Sequence, residues 1–309
     1  MTADDITINT ENKPSIQQLS DSLVDEVVGA VGLPRNRFNH WLMGVLIKPV
    51  TDRFAHVGLN FERLIKEDGF PTASAWALSL FCKPARAHFL HEVPKSGPLL
   101  VAANHPGAYD ALVYASQLGR KDVSLIATEI PYLRLLPLTS NHLIYAARDN
   151  STSRMVAMRQ IIRHLRSGGA MIYFPSGHRD PDTAFYPGSK KMIDSWLPVF
   201  DFFYQYVPGL KILPAIGSGI LSERWAYHPI TRLRRKQVDR HRLAEFCQVI
   251  GQLAKPGKLL VTPAVSFGRA VSQEDLAHEG VREDYQSAIV AMGKTLLNDH
   301  IQQFGLQYS

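Results

Sequence analysis

Apolar positions divide the chain into two rhythms. From residue 15 to about 82 they recur at helical spacing. Ile16, Leu19, Leu23 and Val27 form a first set, Phe38, Trp41, Leu42, Val45 and Leu46 a second, and Val50, Phe54, Val57, Phe61 and Leu64 a third. Side chains three and four positions apart share one face of a helix. This stretch therefore predicts three or four amphipathic helices, separated near Gly32–Pro34, Pro49 and Gly69–Pro71, where Gly and Pro punctuate the pattern. The stripes predict a bundle packed on itself and on the rest of the chain. The alternative is that Trp41, Leu42 and Leu46 rest on a membrane interface, although the stretch lacks the Lys/Arg-rich polar face common in such helices.

After Lys83-Pro84 short apolar runs take over, at Leu99–Ala103, Val123–Ala127, Ala170–Phe174, Leu210–Ile216 and Leu259–Val265. They alternate with helical stretches near 108–119, 151–167, 189–206, 238–254 and 281–303. Such alternation predicts an α/β fold with a mostly parallel mixed sheet covered by helices on both faces. The expected organisation is an N-terminal helical domain over 1–85, its first ~14 residues disordered, followed by one α/β domain over 86–309.

Composition narrows the class. With 309 residues, 45% hydrophobic and 20% charged, the chain can bury a sizeable core, so neither a disulfide-stapled peptide nor wholesale disorder fits. Its two cysteines, Cys82 and Cys247, lack the spacing of a zinc site and suit a reducing compartment. Cys82 lies in an apolar stretch and reads as packed rather than nucleophilic. The polar, acidic start MTADDITINTENKPS does not read as a signal peptide, and no apolar run reaches the roughly 18–20 residues that span a bilayer. The expectation is a cytoplasmic protein with peripheral contact to the inner face of a membrane. The net charge of +6 is uneven: residues 1–85 hold 8 Lys+Arg against 10 Asp+Glu, leaving +8 for 86–309.

Two strand ends carry the candidate chemistry. Leu99–Ala103 runs into Asn104-His105, a Pro106-Gly107 turn, and Asp110 at the start of the next helix. Ligands of open α/β sheets collect at the carboxyl ends of strands. There His105 could take a proton from a hydroxyl while Asp110 holds its other ring nitrogen. His278 and Glu283 repeat the spacing, but in a charged helical lead-in. The second run, Ala170–Phe174, enters Pro175-Ser176-Gly177-His178-Arg179-Asp180-Pro181-Asp182. A guanidinium beside a Gly-containing turn suits a phosphate. A surface pair of Arg179 with Asp180 or Asp182 is the plainer reading.

Together these stretches resemble the glycerolipid acyltransferase superfamily, whose members acylate glycerol-3-phosphate or lysophosphatidate. Ser176 stands where most lysophosphatidate acyltransferases carry Glu. The block is more similar to soluble plastid glycerol-3-phosphate acyltransferases, which also have an N-terminal helical domain, but Pro181 stands where those enzymes carry a second arginine. The resemblance covers about 86–270 and implies His105 and Asp110 as catalytic residues. It implies Arg179, Arg148 (in Tyr145-Ala-Ala-Arg-Asp149), Asn104, Ser176 and Gly177 as substrate-binding residues, and Leu213–Ala215 as a segment shaping the pocket. The implied reaction moves a fatty acyl group from acyl-carrier protein or acyl-CoA to glycerol-3-phosphate or a lysophospholipid, without metal or other cofactor. The donor thioester is a co-substrate.

The densest basic run follows at Arg224–Arg242, with Arg232, Arg234, Arg235, Lys236, Arg240 and Arg242. It reads either as a solvated helix face or as a dock for acyl-carrier protein, CoA phosphates or an anionic bilayer. Nucleic acid is not an expected partner, since no recognisable binding motif accompanies the basic charge. Besides an acyltransferase, the pattern allows a catalytically silent acyl-carrier or anionic-surface binding protein.

Overall fold

A computed structural model describes residues 14–30, 34, 36–147, 150–186, 189–235 and 237–306. The expected disorder of the first ~14 residues falls almost wholly on 1–13, outside the described residues. Arg148 and Lys236 also lie outside them.

The chain opens with helices α1 (Ile16–Ala30), α2 (Arg37–Asp68) and α3 (Phe70–Ser79). Pro49 was expected to separate two helices, but α2 runs through it for 32 residues. The proline removes one backbone donor. Continuity survives because the turn around it is largely exposed, where water can satisfy the freed Val45 carbonyl; two residues on, Thr51 Oγ1 donates back to the Lys48 carbonyl at 3.1 Å. Thr51 also meets Ser20 of α1 at 2.7 Å, tying the two helices together.

The sheet contains β1 (Arg86–Phe89), β2 (Leu99–Ala103), β3 (Val123–Ala127), β4 (Leu143–Tyr145), β5 (Ala170–Tyr173), β6 (Lys211–Ser218), β7 (Ala264–Phe267) and β8 (Val271–Ser272). Its order is β1-β7-β6-β2-β5-β3-β4, with β8 beside β6. All pairings are parallel except those of β6 with β7 and β8. Helices α4 (Asp110–Leu118), α5 (Pro131–Arg134), α6 (Pro137–Asn141), α7 (Ser151–Arg166), α8 (Phe200–Tyr206), α9 (Glu223–Ala226), α10 (Gln237–Ala254), α11 (Gln273–His278) and α12 (Tyr285–Phe304) complete the described elements, with 3₁₀ turns at Ser189–Ser195 and Pro229–Leu233.

Three differences from the sequence expectation have local causes. The run Leu259–Val265 becomes strand only from Ala264, because Pro263 cannot donate to the ladder. The helix expected over 189–206 is split by Leu197-Pro198, since a proline drives the preceding residue out of helical conformation. The short edge strand β1 has a largely exposed Arg-Ala-His-Phe sequence with no apolar alternation to reveal it.

Side-chain alternation along β2 distributes two cores. Leu99, Val101 and Ala103 join Phe61 of α2, Phe70 and Ala73 of α3 and Val113 of α4 on one face. Leu100 and Ala102 join Ile161 of α7, Phe200 of α8 and Leu297 of α12 on the other. The first half of α2 behaves differently. Phe38, Trp41, Val45 and Leu46 are each more than 60% exposed and Leu42 is 37% exposed, so the bundle expected from this stripe does not cover it.

Buried His300 on α12 bridges β6 and β7 through Ser218 (2.8 Å) and Ser266 (2.9 Å). Burial, reinforced by Arg86 and His88, lowers its pKa to about 3. The folded state therefore binds its proton less readily than the unfolded chain, whose imidazole titrates near 6.5. Stability is fully present above pH 6.5 and is lost as pH falls from there towards 3, at about 1.4 kcal/mol per pH unit. His300→Gln is expected to flatten this slope, as read from urea midpoints at pH 7 and pH 5.

Candidate active site

Parallel pairing places the two candidate stretches side by side. Ala102 of β2 is in register with Tyr173 of β5, so Asn104-His105 and Phe174–Arg179 leave the sheet at the same edge. Asp110 begins α4, and its buried carboxylate accepts from Gly107 N–H at 3.1 Å and Ala111 N–H at 2.6 Å. The same carboxylate lies 2.7 Å from His105 Nδ1. An ionised carboxylate can only accept, so His105 carries its proton on Nδ1 and leaves the Nε2 lone pair available. The imidazole stacks on Phe174 at 4.4 Å, which fixes its plane. By contrast, among the described residues His278 and Glu283 form no mutual hydrogen bond or ion pair; both are exposed.

The second stretch braces the first through residues that spacing did not single out. Asp180 accepts the His105 backbone N–H at 2.8 Å, while its own N–H donates to the His105 carbonyl at 2.9 Å. Asp182 accepts from Gly219, Ile220 and Leu221 just beyond β6, and from Ala184. Both carboxyls are fully buried. Burial raises the pKa of Asp180, and it raises that of Asp182 to about 6 against the opposing pull of those four N–H groups. These aspartates fasten the loops after β2, β5 and β6. Among the described residues, no ion pair joins Arg179 to either of them. Its guanidinium pairs with buried Glu245 of α10. Glu245 stands next to His241, whose pKa falls to about 4 through burial and the positive charge of Arg179. A histidine and a glutamate four positions apart share one helical face, but without the fold nothing directs that face towards Arg179.

The other candidate substrate-binding residues separate by geometry. Asn104 is fully buried, and its amide is spent on Gly217 N–H (2.7 Å), the Gly217 carbonyl (2.9 Å) and Tyr114 (2.7 Å). It thus fastens the end of β2 to β6. The Ser176 hydroxyl donates to the His178 carbonyl at 2.9 Å and also meets Asp180 at 3.1 Å. Gly177 adopts φ +67°, a conformation that favours glycine and makes the turn possible. Leu213–Ala215 lies within β6 alongside β2, rather than among the described lining of the groove. Cys82 is buried and its thiol is pushed up to about 12, consistent with packing.

His105, Asp110, Phe174, Ser176, Gly177 and Arg179 line a groove of about 820 Å³. Its lining continues over Phe61, Phe70, Ala77, Leu125 and Leu143 to Gly58 of α2 and Tyr132 of α5, making one long, largely apolar wall. Arg154, in the first turn of α7, also faces it. The arrangement can hold an apolar chain and withdraw a proton at its polar end. Among the described residues, no group of three or more His, Cys, Asp or Glu side chains could hold a metal ion. No described helix is long and apolar enough to cross a membrane.

Residues 85–216 match the family model for acyltransferases. The stretch from β1 to the first part of β6 accordingly carries an acyltransferase domain. Among solved structures, the 1-acyl-sn-glycerophosphate (LPA) acyltransferase PlsC from Thermotoga maritima is similar at 19% identity and a TM-score of 0.37, over 91% of this chain and 97% of that one. No curated protein matches.

Proposed function

We propose that the chain is an O-acyltransferase that moves a fatty acyl group from acyl-carrier protein or acyl-CoA to a hydroxyl of glycerol-3-phosphate or a lysophospholipid. One observation carries this reading: the His105–Asp110 pair opens onto an apolar groove within a domain of the acyltransferase family. His105 Nε2 removes the acceptor hydroxyl proton as the oxygen attacks the thioester carbonyl. Collapse of the tetrahedral intermediate breaks the C–S bond, and the imidazolium returns its proton to the departing thiolate. Asp110 stabilises the transient imidazolium. Arg179, with Arg148 as its expected companion, binds the acceptor phosphate. The exposed stripe Phe38, Trp41, Leu42, Val45 and Leu46 supports contact with a bilayer, where a lipid product would be delivered.

The test is transfer from radiolabelled acyl-carrier protein and acyl-CoA to glycerol-3-phosphate, lysophosphatidate and uncharged glycerol acceptors. Transfer that prefers a phosphorylated acceptor supports the reading. Thioester binding without transfer to any of them would identify a silent carrier-binding protein instead.

The far wall supplies a further expectation. A Cβ at Gly58 would overlap the Tyr132 hydroxyl, which donates to the Phe54 carbonyl at 3.1 Å. Gly58→Ala must therefore displace Tyr132, at a cost of about 1–3 kcal/mol that outweighs the ~1 kcal/mol helix-propensity gain from alanine. Turnover with a series of acyl-CoA chain lengths should shift towards shorter donors. An unchanged profile would place the acyl chain elsewhere.

A further inference from the structure

The turn between α9 and α10 presents an unusual surface. Leu233 is 76% exposed, Tyr227 57% and Ile230 36%, while Arg232, Arg234 and Arg235 beside Leu233 are also exposed. Among the described residues, no carboxylate lies within ion-pair distance of these three arginines, whereas Arg242 further along pairs with Asp239 at 3.7 Å. A solvated basic face accounts for the arginines but not for the apolar residues at its tip.

The turn is held in shape. Thr231 is buried and its hydroxyl donates to the His228 carbonyl at 2.7 Å, while Arg240 Nε donates to the Arg234 carbonyl at 2.7 Å. The Tyr227 hydroxyl donates to the Phe185 carbonyl, just beyond the Arg179–Asp182 stretch. Four residues into α10, His241 lies 3.1 Å from the Pro106 carbonyl, between His105 and Asp110. The surface is thus built continuously with the rim of the active site.

We propose that the turn 227–235 is a docking element for an anionic bilayer. Leu233, Ile230 and Tyr227 enter the headgroup–acyl boundary, and Arg232, Arg234 and Arg235 bind lipid phosphates. Charge complementarity selects the anionic surface, and the apolar tip favours a bilayer over acyl-carrier protein. The inference rests on the reading that the chain works at a lipid surface, but it assigns the charge-dependent part of that contact to this turn and not to the α2 stripe, whose apolar residues are not interleaved with arginines.

The experiment is co-sedimentation of the full chain with vesicles of phosphatidylcholine alone and of phosphatidylcholine with phosphatidylglycerol in equal parts. The unaltered protein should prefer the mixed vesicles at low salt by on the order of 10²-fold, at about fivefold per arginine, and lose the preference as salt rises. Arg232→Gln/Arg234→Gln/Arg235→Gln should remove that preference, and Leu233→Ser should weaken mixed-vesicle binding about tenfold or more. Trp41→Ser/Leu46→Ser should weaken binding to both vesicle types and keep the preference. Transfer from a short water-soluble thioester, expected to be unchanged in the arginine variant, checks its fold.

Binding to neither vesicle type would remove the lipid-surface reading and the proposal with it. Binding to both without preference, or a preference that survives the arginine substitutions, would overturn the proposal alone. Vesicle binding that is unchanged while kcat/KM with acyl-carrier protein falls would overturn it in favour of carrier docking.

Discussion

His105→Ala is expected to leave the fold intact and to lower acyl transfer by about 10²–10⁴-fold, the usual worth of general-base assistance. The fold should survive because the two hydrogen bonds that the His105 backbone makes with Asp180, one to its carboxylate and one from its N–H, do not involve the imidazole. Asp110→Asn should lose a comparable factor. An amide can keep the shape and accept one hydrogen bond, but it neither enforces Nδ1 protonation on His105 nor stabilises an imidazolium. Because Asp110 and His105 act as a unit, the double variant should be little worse than either single variant. Steady-state transfer with a verified thioester, alongside a thermal melt, measures both effects. Near-normal turnover in His105→Ala would make the proposed chemistry wrong.

Arg179→Ala is expected to raise the acceptor KM by the equivalent of about 2–5 kcal/mol while leaving the donor KM nearly unchanged, if the guanidinium meets the acceptor phosphate. Lysine should rescue only in part, lacking the planar fork. The ion pair with Glu245 adds a second expectation. Removing Arg179 strands a buried carboxylate, so the single variant should also melt earlier. Arg179→Ala/Glu245→Gln removes the stranded charge and should regain stability without regaining acceptor affinity. Recovery of both properties together would assign Arg179 a structural role and move the phosphate to other residues.

The residues legible in the chain were those whose placement depends on near neighbours. Four residues between His105 and Asp110, a buried run before them and a Pro-Gly turn between them are enough to bring a carboxylate to an imidazole across one strand–helix junction. The five apolar runs likewise mark β2, β3, β5, β6 and part of β7, because a strand buried on both faces must be apolar throughout its length. Edge strand β1 escaped notice because no burial constrains its sequence to alternate.

Asp180, Asp182 and Glu245 were not legible for the opposite reason. A carboxylate in a loop or on a helix face has the same appearance whether it meets water, an arginine or a row of backbone N–H groups. Asp182 reaches residues 37–39 positions away and Glu245 meets a guanidinium 66 positions back, so only the packed sheet edge selects their partners. Asn104 shows the same limit: nothing near it in the chain announces that its side-chain amide meets Gly217, 113 positions away. The stripe Phe38–Leu46 is apolar in any conformation, but whether another helix covers it is a property of the assembled molecule, where it stays exposed. Local spacing and hydrophobic period therefore establish the buried central strands and the His105–Asp110 pair. The partners of buried charges and the faces left open come from contacts between distant segments, because desolvation and charge pairing act through space rather than along the chain.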